Sequence, residues 1–343
     1  MDGSQGYTIN TTASSADPIY NSINPSNVSV TNSDNDTAGI TINPTTGLNT
    51  TESGGSDSFT VVLNSEPTAN VSFDIRSSDT TEGTVSQSSV IFTPSNWNIL
   101  QTVTVTGVDD DAADGDISYT IINTAATSSD GNYSGINPSN VAATNADDDA
   151  AGITVDPVTG LNTTEAGDTD TFTIVLNSQP TDNVTIGLSS SDSSEGTVMP
   201  SSVVFSPSNW NSPQSLTITG NDDDVMDGAE SYTIITAAAS SLDSNFDGQN
   251  APDVSVTNAD DDTAGVVINP SSGLITSESG GSDSFSVVLN SEPIASVIVY
   301  LNSTDLGEGT VTPGWLTFNP DDWDTAQTAN VTGVDDSIAD GSQ

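Results

Sequence analysis

Asp147-Asp148-Asp149-Ala150-Ala151-Gly152-Ile153 decides how the chain reads, because it recurs. The same text returns as Asp260-Asp261-Asp262-Thr263-Ala264-Gly265-Val266, and a variant stands earlier as Asp34-Asn35-Asp36-Thr37-Ala38-Gly39-Ile40. Ala38, Ala151 and Ala264 set a step of 113 residues, which Trp97, Trp210 and Trp323 keep, as do Glu52, Glu165 and Glu278. At this period each unit is a whole domain rather than one rung of a solenoid. Two complete repeats are expected, 38–150 and 151–263. Residues 1–37 then supply the last two strands of one repeat, and residues 264–343 the first five strands of another.

Within 38–150 the apolar pattern has a period of two, the signature of half-buried strands. Strands are expected at Ile40–Ile42, Phe59–Leu63, Val71–Ser77, Val90–Phe92, Thr102–Val108, Ser118–Ile122 and Val141–Asn145. Asn43-Pro44, Gly47 and Asn64-Ser65-Glu66-Pro67 mark turns between them. No stretch has helical periodicity, and Asp130–Pro138 reads as an irregular loop. Seven short Thr/Val-rich strands in about 110 residues indicate an all-β chain of tandem immunoglobulin-like sandwiches stacked end to end.

Composition removes most chemistry. The 343 residues carry a formal charge of −47, with Arg76 as the one cationic side chain and no His or Cys. There is no imidazole base, thiolate, disulfide or ordinary zinc site, and no lysine for a Schiff base. A polyanion repels nucleic acid, and no segment is apolar over a membrane-spanning length. The opening Met1-Asp2-Gly3-Ser4 is not a signal peptide, so export is expected to use a signal outside this window or the window belongs to a longer protein.

Four groups of acids recur in each unit, all in turns: Glu52; Asp79; Asp109, Asp110 and Asp111 with Asp114; and Asp147, Asp148 and Asp149. In a Greek-key sandwich these turns gather at one pole, where the chain leaves for the next domain. The second repeat carries Glu165, Asp192, Asp222, Asp223, Asp224, Asp227, Asp260, Asp261 and Asp262; the incomplete units carry Asp34, Asp36, Glu278, Asp305, Asp335, Asp336 and Asp340. Adjacent carboxylates repel unless neutralised, and an all-oxygen donor set suits calcium better than a transition metal. Several ions per domain junction are expected. The spacing is not that of an EF-hand loop.

Val108-Asp109-Asp110-Asp111-Ala112-Ala113-Asp114 before Ser118-Tyr119, followed by Asn145-Ala146-Asp147-Asp148-Asp149-Ala150-Ala151-Gly152, resembles the Calx-beta domain. The resemblance covers both complete repeats and part of each end. It implies calcium ligands at Glu52, Asp79, Asp109, Asp110, Asp114, Asp147, Asp148 and Asp149, and at Glu165, Asp192, Asp222, Asp223, Asp227, Asp260, Asp261 and Asp262. That family often has Glu where Asp114 and Asp227 stand, and Asn35 interrupts the first closing run. Tandem copies of this kind resemble those of large bacterial surface proteins and adhesins, which implies an extracellular, cell-surface stalk or fibre rather than an enzyme.

Two other readings use other residues. Trp315, or the Asp130–Pro138 loop, would serve an adhesive module that binds glycan or another surface protein; rim packing is the blander role for Trp315, and sheet-edge packing for the recurrent Trp97, Trp210 and Trp323. A calcium-sensing regulatory module would use the acids themselves. Finally, Asp2-Gly3-Ser4-Gln5 recurs as Asp340-Gly341-Ser342-Gln343 at one point of the repeat. The partners expected are therefore neighbouring repeats or copies of the chain joined head to tail by strand complementation, unless the chain is an excerpt of a longer array. Native subunit mass separates these two cases. With Arg76 as the one trypsin site, the urea-unfolded protein should yield two fragments on a gel; a ladder of smaller products would contradict the composition argument.

Overall fold

Along Val71–Ser77 the side chains of Val71, Phe73 and Ile75 are buried while Asp74 and Arg76 face solvent. A pleated strand sends successive side chains to opposite faces, so one apolar face must find a second sheet to cover it. The structure is a computed structural model describing residues 3–335 and 337. It is all-β and divides into two units, Met1–Ala150 and Ala151–Gln343.

In the first unit, one sheet orders the strands Ile40–Asn43, Ser56–Leu63, Gln101–Gly107 and Gly83–Val85, all antiparallel. The facing sheet orders Thr127–Ser128, Val71–Ser77, Ile117–Asn123, Val141–Ala146 and Leu48–Thr51, with Ser89–Phe92 also paired to Val71–Ser77. Phe59, Val103, Phe92 and Ile121 fill the space between them. This is an immunoglobulin-like sandwich. Ahead of it, Gln5–Ile9 and Val28–Asn32 pair as a hairpin.

The seven expected strands coincide with observed ones, and three more are present. Gly47, at φ +81°, carries the chain from the first sheet across to the second, where Leu48–Thr51 runs parallel to Val141–Ala146. Its Leu-Asn-Thr-Thr text hides the strand because just Leu48 and Thr50 face inward. Gly83–Val85 and Thr127–Ser128 are too short to show a period. The loop at Asp130–Pro138 carries no strand, as expected, and two of its side chains anchor it to the sandwich. Tyr133 is fully buried, its hydroxyl donates to Ser65 O at 2.6 Å and accepts from Ser65 N at 3.1 Å, and Asp130 accepts from Thr68 N at 2.8 Å. The loop plugs the open side of the sandwich.

In the second unit, residues 153–259 repeat the arrangement, with the parallel pair now Leu161–Thr164 and Val254–Ala259. Residues 266–333 give six strands where five were expected. Val266–Asn269, Ser282–Leu289, Gln327–Gly333 and Gly309–Thr312 form a full four-stranded sheet, and Val297–Tyr300 pairs with Trp315–Phe318. Trp97, Trp210 and Trp323 pack against the three cores. Trp315 does not act as a rim-packing residue: it lies on the outer face, 61% exposed.

Gly83 and Gly196 are points where the two sheets approach each other closely. A Cβ on either would enter the ring or hydroxyl of Tyr119 or Tyr232, so the glycine makes room for a buried tyrosine. Gly83→Ala should destabilise the first sandwich by about 1–3 kcal/mol through overpacking, read as a lowered melting temperature. Unchanged melting would contradict this packing.

Candidate metal centre

The pole is built on a buried polar network that ties loops to core. Thr50 Oγ1 lies 3.0 Å from the Tyr119 hydroxyl and donates to Asn145 Oδ1 at 2.9 Å. Asn145 Nδ2 donates to Val108 O at 3.0 Å and faces Glu82 Oε2 at 3.4 Å. The second repeat rebuilds this with Thr163, Tyr232, Asn258 and Glu195. Five chain segments are thereby held at fixed spacing just below the acidic turns.

Two carboxylate triads sit above the network in each complete repeat. Glu52, Asp147 and Asp149 each offer an oxygen within 4.8 Å of the others, as do Glu82, Asp110 and Asp114. The second repeat has Glu165, Asp260 and Asp262, and Glu195, Asp223 and Asp227. Glu52 is 2% exposed, and its Oε2 accepts from Asp148 N at 3.3 Å. Asp147 is aimed by two loops: its Oδ2 accepts from Gly115 N at 2.6 Å and its Oδ1 from Asp149 N at 2.8 Å. Gly115 reaches it from the left-handed region, at φ +81°. In the second repeat Gly228 N donates to Asp260 at 2.7 Å, and an open cleft of about 550 Å³ is lined by Glu165, Asn221, Asp222 and Asp223. The Oδ2 of Asp262 is buried without a hydrogen-bond partner, an acceptor left free for a cation or a proton.

The electrostatics follow from that geometry. Burial, opposed by the Asp148 amide and aided by Asp110, Asp147 and Asp114, pushes Glu52 up to about 7. Glu165 rises to about 7 for the same reasons. Burial first and neighbouring carboxylates second also raise Glu82, Glu195, Asp114, Asp149 and Asp262. Asp109, Asp111 and Asp148 act on Asp149 in this way, and Asp222, Asp224 and Asp261 on Asp262. These flanking acids therefore face the triads without belonging to them.

Asp79 and Asp192 fall in none of the four triads. Each carboxylate caps its own turn: Asp79 accepts from the Thr81 hydroxyl and from Thr81 N at 3.0 Å, and Asp192 from the Ser194 hydroxyl and from Ser194 N at 3.0 Å, and those bonds, the hydroxyl's first, lower both pKa values. The acid that reaches the pole is Glu82 or Glu195, three residues on. The sequence reading passed over these two, although Glu82, Glu195 and Glu308 keep the 113-residue step and each precedes a glycine. Among the described residues the expected acids of the incomplete repeats form no such triad. Asp34 and Asp36 follow the N-terminal hairpin, Asp34 accepting from Gly3 N at 2.7 Å and from Asp36 N at 2.9 Å, while Glu278, Asp305 and Asp335 are exposed. Asp336 and Asp340 lie outside the described residues.

No family model matches the chain, and no curated protein does. Among solved structures, CBD12 from CALX1.2 is 14% identical with a TM-score of 0.30, covering 63% of this chain and 98% of that one. The calcium binding domain CBD12 of CALX1.1 is 16% identical with a TM-score of 0.29, covering 58% and 80%. The CsuC–CsuE chaperone–tip adhesion subunit complex from Csu pili of Acinetobacter baumannii is 10% identical with a TM-score of 0.25, covering 55% and 90%. Likeness at this level says nothing of the site. The acidic clusters are a property of this chain's own geometry, and their donor set can hold a metal ion. Among the described residues no helix is long and apolar enough to cross a membrane.

A raised carboxylate pKa means the folded, metal-free protein binds more protons than the unfolded chain between about pH 4.5 and 7. Its contribution to stability is complete below the unfolded value and lost as pH rises through the folded one. The melting temperature of metal-free protein should therefore fall from pH 5 to pH 8. A melting temperature that rises over this range would contradict the geometry.

Proposed function

We propose that the triads are calcium sites, two at the pole of each complete sandwich, and that the protein is a calcium-stiffened structural module outside the cell. The observation that supports it is the pairing of a buried glutamate with two aspartates, twice per repeat, in a chain whose one cationic side chain is Arg76. A hard divalent cation takes six to eight oxygens at irregular angles. Each triad, with the flanking acids, backbone carbonyls and water, meets that demand. Bound ions neutralise the pole and hold its loops together; without them like charges push these loops apart. Weak sites of about 10⁻⁴–10⁻³ M serve this role where calcium is abundant, as it is extracellularly. We read the chain as an extension module of a cell-surface stalk or fibre, and as structural rather than catalytic.

A sensor would couple one or two modules to an effector, and near-identical tandem copies suit it poorly. An adhesive role has one observation in its favour: Tyr300 and Trp315 pair across strands on the outer face, 73% and 61% exposed, a platform for stacking a sugar ring. Trp315→Ala should then abolish glycan-array binding, and no glycan signal from the unmodified chain removes this reading.

Calorimetric titration of EDTA-stripped protein should give at least four calcium ions per chain. Glu52→Gln and Asp147→Asn should each lose binding at the first repeat, weakening it roughly tenfold or more, while leaving the second repeat's sites. Calcium should raise the melting temperature and magnesium should not match it. Absence of saturable calcium binding at millimolar concentration overturns the proposal.

A further inference from the structure

We propose that Val225 and Met226 are positioning residues for a metal loop of the second repeat. They latch the stretch between Asp223 and Asp227 onto the third sandwich, residues 266–333, and this neighbour thereby tightens cation binding at Glu195, Asp223 and Asp227. The identity of the ion rests on the calcium reading above; the latch rests on contacts of its own.

The acids of this loop are those of its twin in the first repeat, and the residues between them are not. Val108-Asp109-Asp110-Asp111-Ala112-Ala113-Asp114-Gly115 becomes Asn221-Asp222-Asp223-Asp224-Val225-Met226-Asp227-Gly228. Asp110 Oδ1 accepts from Ala112 N at 2.8 Å, and Asp223 Oδ1 from Val225 N at 2.8 Å, so the two loops turn alike. Alanine meets the needs of that turn, and a cation held by oxygens asks for no apolar side chain there. Valine and methionine in an acidic surface turn put apolar area into water unless something covers it.

The cover is the next sandwich, which belongs to the same compact unit, Ala151–Gln343. Glu292 N donates to Asp224 O at 2.6 Å, and Val225 makes a parallel β-bridge with Glu292. Ser291-Glu292-Pro293 lies in the turn between Ser282–Leu289 and Val297–Tyr300. The Met226 thioether accepts from Ala264 N at 3.4 Å, on the linker that runs from Asp262 of the other triad to Val266. Met226 stays half-exposed, and with Leu289, Pro293 and Ile294 it walls one hollow. An unbranched thioether adapts to so irregular a seat. The linker is tied to the same sandwich: Asn290 N donates to Gly265 O at 3.0 Å, and a Cβ on Gly265 would strike the Asn290 amide.

The loop therefore works from two sides. Asp223 and Asp227 gather with Glu195, while the residues between them hold the third sandwich. A loop already ordered by its neighbour loses less freedom when the cation arrives, and this raises affinity. Linkage then requires the cation to strengthen the docking by the same factor.

Two measurements on the full chain test the latch. Glu52→Gln with Glu82→Gln removes the first repeat's two buried glutamates, so that calcium titration of EDTA-stripped protein by calorimetry reports the second repeat. In that background Val225→Ala with Met226→Ala should weaken binding by about fivefold or more. The first repeat already folds with alanine at both positions, and the melting temperature in EDTA serves as the folding control. The chain has no cysteine, so spin labels at Ser208→Cys and Asp321→Cys, both exposed positions, are unambiguous. Their distance by pulsed electron spin resonance in calcium should form one narrow population with Val225 and Met226 in place, and a broad one in the double variant. A double variant that leaves either the calcium affinity or the distance distribution unchanged overturns the proposal. Absence of calcium binding before Val225 and Met226 are touched sinks the calcium reading instead, and the label distances then decide the latch alone.

Discussion

Repulsion between carboxylates is the constraint on which the rest depends. Oxygens of three acids within 4.8 Å of one another interact unfavourably by on the order of 3 kcal/mol per ionised pair at an effective dielectric near 20. Burial of Glu52 and Glu165 adds a desolvation cost to each charge. A chain with 48 acids and one arginine has no side chain with which to answer. Protons or metal ions are what remain, and at neutral pH protons answer in part alone.

The sandwich bears this strain because its core and its pole are joined. Packing of Phe59, Phe92 and Ile121 between two sheets supplies the hydrophobic term. Thr50, Tyr119 and Asn145 convert that packing into fixed positions for the strands that carry Glu52 and Asp147. Gly83 and Gly107 allow the approach: a Cβ on Gly107 would strike Thr51 O and Asn145. Loss of one member of such a network leaves buried partners unsatisfied, so it acts as a unit.

Much of this was legible in the text. Period-two alternation in Val71–Ser77 and Gln101–Gly107 revealed the central strands, since both faces of a pleated ribbon have different solvents. The repeat of acids at a fixed step revealed the pole. What stayed hidden has physical reasons. Leu48–Thr51 and Gly83–Val85 are short edge strands fixed by tertiary pairing rather than by local pattern. Glu82 was passed over in favour of Asp79, yet the longer side chain reaches the pole while the shorter one folds back on Thr81. Tyr133 sits in a Gly/Asn/Pro-rich stretch that reads as solvent-exposed, and its burial depends on Ser65, 68 residues away. Trp315 has the reverse fate, an aromatic on a strand that faces outward because its register follows Phe318 and Leu316 into the core.

The most direct measurement is anomalous difference density from crystals of the chain grown in millimolar calcium. Peaks centred among Glu52, Asp147 and Asp149 and among Glu82, Asp110 and Asp114, with counterparts in the second repeat, are the expected result. Well-ordered triads with no anomalous peak at those positions would contradict the account.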